Sequence, residues 1–211
     1  MTRPLDRECL LPELGDLDRE RGEFWVPNPF MMPQAGHNLS AHERNRLFLN
    51  VAGTGFIDAS RFSAADIDSD SRSVVAADFD RDGQTDLLVA SVGGGPLRLF
   101  LNRFSVPGNR RVLLDLVGTA SNRPAIGARI ELECGGRRIV RDRFAPNGFM
   151  GMGPPELLVG VGAAERIDRL TVRWPTGRTQ EFTDLPVDVR LTITEGAETV
   201  ESAGLPPARA K

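Results

Sequence analysis

AADFDRDGQTDLLVA, residues 76–90, places aspartates at 78, 80 and 82, a glycine at 83 and a fourth aspartate at 86, then runs straight into an apolar stretch. Calcium is a hard cation that takes about six to eight oxygens, and a loop supplies them when carboxylates alternate with outward residues and the chain turns at a glycine. The spacing makes Asp78, Asp80, Asp82, the carbonyl of Gln84 and Asp86 the candidate ligands of a Ca2+ ion. A solvated acidic turn is the alternative, but four carboxylates so close repel one another without a cation. An EF-hand would need a glutamate at the twelfth loop position; Val89 stands there, inside an apolar run of strand character. The loop therefore reads as a connection between two β-strands, and that reading fixes the fold class.

Outward from the loop, short apolar runs broken by Gly, Asn and Asp continue the β pattern. Arg46-Leu-Phe-Leu-Asn50 recurs 52 positions later as Arg98-Leu-Phe-Leu-Asn102, a period that suits one propeller blade. Two strands sharing five residues by chance is the plainer alternative. SVPGN at 105–109 marks a boundary, after which strands resume as RVLLDLVG, ARIELEC, RRIVRDRF, ELLVGVG, IDRLTVRWP, TQEFTDL and VRLTITEG. Alternation in Ala128–Cys134 and Leu170–Trp174 predicts sheets with one dry and one wet face. CGGRR and WPTGRT predict hairpin turns. Twenty-two glycines, fifteen prolines and eleven phenylalanines with no tyrosine agree with an all-β chain of short antiparallel strands.

The 211 residues divide into an N-terminal arm at 1–43, a repeat region with the acidic loop at 44–105, a β domain at 110–196 and a disordered tail at 197–211. The arm holds Trp25, Phe30, Met31 and Met32, which are costly to leave bare together, so it is expected to lie over the β domain or to serve as a partner patch. Within it, LPELGDLDRERGEF is the one candidate helix. A single blade exposes unpaired sheet edges, so the repeat is expected to pack with the C-terminal domain, or an open edge to pair with a second copy. Asp66, Asp68 and Asp70 repeat the alternation upstream, but a serine replaces the glycine, which favours a polar loop over a second ion site.

Net charge of −3 and a pI near 5.5, with both signs interspersed, exclude a nucleic-acid stripe. No apolar run approaches the roughly 20 residues of a membrane span, and the first twenty residues lack the apolar core of a signal peptide. The chain as written is therefore expected in the cytoplasm. Cys9 and Cys134 make no disulfide framework; a bond between them is the minor reading, and a buried Cys134 thiol the major one. His37 and His42, five apart, suit no ligand or catalytic pattern. No nucleophile elbow, HExxH, Walker loop or dinucleotide fingerprint occurs.

VVAADFDRDGQTDLLVA followed by GGGPLRLFLN resembles the FG-GAP or VCBS repeat of integrin-like β-propellers, and 110–196 is similar to the ASPIC/UnbV domain of cartilage acidic protein-like proteins. VGTASNRPAIGARIEL, GGRRIVRD, LLVGVGAAERIDRLTVRWPTGRTQEF and LTITEG carry the second resemblance in order. The first implies calcium at Asp78, Asp80, Asp82, the Gln84 carbonyl and Asp86. The second implies a β-sandwich-like domain without established catalytic residues, and an extracellular or cell-surface setting. Together they favour a non-catalytic calcium-binding module for protein or glycan partners. An accessory or metal-dependent enzyme of enediyne-like natural-product biosynthesis is the alternative, alongside assembly through an open sheet edge.

Overall fold

The computed structural model describes residues 44–51, 53–67, 71–91, 96–104, 106–145, 148–149 and 151–205. The arm at 1–43, with its helix candidate, Trp25, Phe30, Met31, Met32, His37 and His42, lies outside them, as do Cys9, Asp68 and Asp70. The described residues contain thirteen strands and one 3₁₀ turn, with no α-helix. Contacts divide the described residues into two compact units: those up to 72 with those in 89–98, and those in 73–88 with those in 99–205. The acidic loop thus groups with the C-terminal strands rather than with the rest of its repeat.

In the first unit, β1 (Phe48–Asn50) and β2 (Phe56–Asp58) pair antiparallel, Leu49 opposite Ile57. Their turn closes because the Asn50 side chain accepts the Gly53 N–H at 2.8 Å and Gly53 adopts φ +79, a conformation that costs glycine little. The 3₁₀ turn Ser60–Phe62 follows, anchored by the buried Ser60, whose hydroxyl accepts the Leu47 N–H at 2.9 Å and donates to Asp58.

Strands β3 (Ser71–Ala77), β4 (Asp86–Ser91) and β5 (Arg98–Phe100) form a three-stranded sheet in that order. The acidic loop joins the first two. Val89, which excludes the EF-hand, is a buried β4 residue.

The second unit is dominated by a sandwich. Its strands are β6 (Arg110–Val117), β7 (Arg129–Cys134), β8 (Arg137–Asp142), β9 (Leu157–Gly162), β10 (Arg166–Arg173), β11 (Thr179–Pro186), β12 (Val189–Thr194) and β13 (Glu201–Gly204). One sheet has the order β11-β10-β7-β8 and the other β13-β12-β6-β9. Ile130, Leu132, Leu170, Val172 and Trp174 from the first meet Val112, Leu114, Val159, Leu191 and Ile193 from the second in one dry core. These are the residues the period-two alternation selects, and their burial is the main stabilising contribution. Truncating one of them, Leu114→Ala, is expected to cost about 2–5 kcal/mol, read as a lowered urea midpoint with an unchanged slope.

Hairpin β7–β8 turns at Gly135 and Gly136, both at positive φ, with Cys134 opposite Arg137. This is the two-residue turn CGGR predicts. Cys134 is a buried free thiol. Two features depart from the sequence expectation. Pair β6–β12 runs parallel, Leu114 opposite Leu191, which the 71 intervening residues from Gly118 to Asp188 make possible as a crossover. The expected disordered tail instead contributes β13 at 201–204, paired to β12 with Ser202 opposite Leu191. Its side chains are exposed throughout, so backbone pairing rather than an apolar face recruits it.

Candidate metal centre

Loop 78–85 is shaped by its own carboxylates. Asp78 Oδ2 accepts the Gly83 N–H at 2.8 Å, Asp80 Oδ1 accepts the Asp82 N–H at 3.3 Å, and Asp82 Oδ1 accepts the Gln84 N–H at 2.9 Å. Such local bonds hold a loop in conformations that no helix or strand ladder satisfies. Two residues take positive φ, Arg81 at +62 and Gly83 at +84. Gly83 has a second reason to be glycine: a Cβ there would overlap the Arg111 guanidinium.

Asp86 is wholly buried at the start of β4. Its Oδ2 accepts the Phe79 N–H at 2.8 Å and its Oδ1 the Asn102 N–H at 2.7 Å, so it ties the loop entrance to the segment after β5. The repeated RLFLN strand ends on that asparagine. Asn102 Oδ1 accepts the Phe104 N–H, much as Asn50 Oδ1 accepts that of Gly53, so each copy closes on an asparagine turn.

Carboxylate oxygens of Asp78, Asp80 and Asp86 converge to within 4.8 Å of one another. Asp78 Oδ1 is buried with no hydrogen-bond partner, an arrangement that costs free energy unless something fills it. Burial pushes the Asp78 carboxyl above its ordinary pKa; the Asp82 and Asp86 charges push the same way, against the Gly83 N–H. A divalent cation would relieve both the orphaned oxygen and the repulsion, and the all-oxygen donor set suits calcium. Asp82 stands outside the convergent trio, its carboxylate directed to the Gln84 N–H and, at 3.2 Å, to Arg103. Arg103 also bonds Asp80 Oδ2 at 2.8 Å. No sequence rule marked Arg103, though it directly follows the repeated strand. Upstream, Asp66 is ion-paired with Arg44 at 2.7 Å.

A second carboxylate performs a different task. Glu195 is almost fully buried and gathers the N–H groups of Thr119, Ala120 and Ser121 on Oε2 at 3.0, 2.9 and 2.6 Å. The hydroxyls of Ser121 and Thr176 donate to Oε1 at 2.9 and 2.8 Å. Burial raises its pKa, but the donors from Ser121, Thr176 and Thr119 outweigh burial and push it down to about 2.

Residues 37–89 match the model of the FG-GAP-like repeat, and residues 118–200 match that of the ASPIC and UnbV domain. The chain carries an FG-GAP-like repeat followed by an ASPIC/UnbV domain. No curated protein matches it. The acidic loop falls inside the FG-GAP-like segment, whereas Glu195 joins the two ends of the ASPIC/UnbV segment, GTAS at 118–121 and the LTITEG strand.

Proposed function

We propose that the protein is a non-catalytic, calcium-stabilised β module that presents a binding surface to a protein or carbohydrate partner, in a cartilage acidic protein-like arrangement outside the cell. One observation carries the metal reading: the Asp78 carboxylate, whose buried Oδ1 has no hydrogen-bond partner, converges with those of Asp80 and Asp86. Bound calcium would neutralise the loop and brace the strand–loop–strand turn. Asp78, Asp80 and Asp86 would hold it, with Asp82 and the Gln84 carbonyl completing the donor set. Asp86 already spends one lone pair of each oxygen on a backbone N–H, which orients the carboxylate and leaves further lone pairs for a cation. Arg103 fits the role of a reversible counter-charge, neutralising Asp80 and Asp82 when the loop lacks an ion.

Saturating calcium is expected to raise the melting temperature by several degrees, and EDTA to abolish the rise. Asp78→Asn should remove the calcium response while leaving the metal-free protein as stable or slightly more so, because it deletes a carboxylate that burial disfavours. The response should also shrink as pH falls, since protons compete for the raised Asp78 carboxyl. Differential scanning fluorimetry with calcium and EDTA reads all three. Identical melting curves in the two would end the metal reading.

A further inference from the structure

The second unit contains a cleft of about 840 Å³, within the size range of small-molecule sites. Five arginines line it: Arg81, Arg111, Arg141, Arg143 and Arg190. Arg143 is only 6% exposed; one Nη donates to the Phe144 carbonyl at 2.6 Å, and its Nε has no partner. Arg111, which covers Gly83, likewise buries an Nε without a partner. Two buried guanidinium donors left unsatisfied in residues that line one cleft are costly, and each needs an acceptor.

The described residues do not supply those acceptors. Of the carboxylates lining the cleft, Asp142 is ion-paired with Arg129 at 2.9 Å, and Asp78 belongs to the acidic loop. Glu156 alone remains against four guanidiniums, once Arg190 is assigned to Asp115 at 3.8 Å. The other walls are apolar and aromatic, from Phe79, Phe144, Pro154, Leu157 and Leu205. Phe144 is 63% exposed, a large apolar surface left at the cleft.

We propose that this cleft binds a small amphipathic anion: an oxyanion group, carboxylate or phosphate, held by Arg143 and Arg111, with an apolar or aromatic body against Phe79 and Phe144. The guanidinium fork matches the paired oxygens of either group, and a water-excluded wall strengthens each such bond. The inference gives chemistry to the binding role proposed above, but it does not require calcium.

Phenyl phosphate and benzoate are the two probes, with benzyl alcohol as the neutral control, titrated into the full chain by calorimetry in calcium and again in EDTA. At least one anion should bind with a Kd below about 1 mM, and the control should not. Which anion binds assigns the phosphate or the carboxylate class. Arg143→Gln and Arg111→Gln should each weaken binding at least about tenfold. Arg138→Gln, which removes the same charge from the Glu131 ion pair away from the cleft, should leave it unchanged. If Arg143→Gln fails to fold, as circular dichroism would show, Arg111→Gln and the exposed Arg141→Gln carry the test. Absence of binding by both anions, equal binding of benzyl alcohol, or affinities indifferent to these arginines would overturn the proposal. Anion binding without any calcium-induced thermal shift would retain the cleft and remove the metal; the opposite pair of results would do the reverse.

Discussion

Glu195→Ala is expected to lower the melting temperature by roughly 5–10 °C, far more than a glutamate beside a C-terminal strand would ordinarily suggest. The carboxylate is the shared acceptor for three consecutive N–H groups, those of Thr119, Ala120 and Ser121, and for two hydroxyls. Alanine leaves those part-buried donors without their shared acceptor. The loop that presents these donors turns tightly, since a Cβ at Gly118 would overlap the Asn122 carbonyl. The pH dependence carries its own signature. The folded pKa, about 2, lies below the ordinary 4.5, so the carboxylate's contribution is full above pH 4.5 and is lost as pH falls through that window. The stability difference between the parent and Glu195→Gln should therefore be largest near neutrality and shrink on acidification from pH 5 to 2. Using the difference removes the opposing influence of Asp78, whose raised pKa makes acid favourable to the metal-free fold. A difference independent of pH would show that shape, not charge, holds the loop.

That glutamate also marks where sequence reading stops. LTITEG and GTAS were both visible as motifs, but nothing in a linear string says that the first closes on the second across 74 residues. The sandwich strands were legible because burial on one face imposes period two, as in Ile130, Leu132 and Cys134. The glycine pair at 135–136 was legible because its positive φ values restrict residue choice. By contrast, β13 leaves no apolar trace, and the parallel β6–β12 pairing depends on sheet order that no hairpin signal encodes. In the acidic loop the spacing singled out the aspartates but could not rank them. Rank comes from burial and partners: Asp86 is fully enclosed, Asp78 is half-satisfied, and Asp82 turns toward Arg103. Arg111 was hidden altogether, because its place above Gly83 is a long-range contact.

Asp86→Ala should separate architecture from metal binding more sharply than any other change in the loop. Both Asp86 oxygens accept part-buried backbone donors, one at the loop entrance and one in the segment after β5. Removing them orphans the Phe79 and Asn102 N–H groups at roughly 1–3 kcal/mol each, and hydrogen exchange at those two amides should rise as the turn opens. The destabilisation should be present in EDTA as well as in calcium. Asp80→Ala offers the contrast, because Asp80 is partly exposed and its main described partner is the Arg103 side chain. An exposed ion pair of that kind contributes only about 0–1 kcal/mol, so the metal-free protein should melt close to the parent while the calcium-induced shift disappears. If instead Asp86→Ala melts like the parent in EDTA, its two hydrogen bonds do not hold the turn. The converging carboxylates would then depend on the ion itself for their positions.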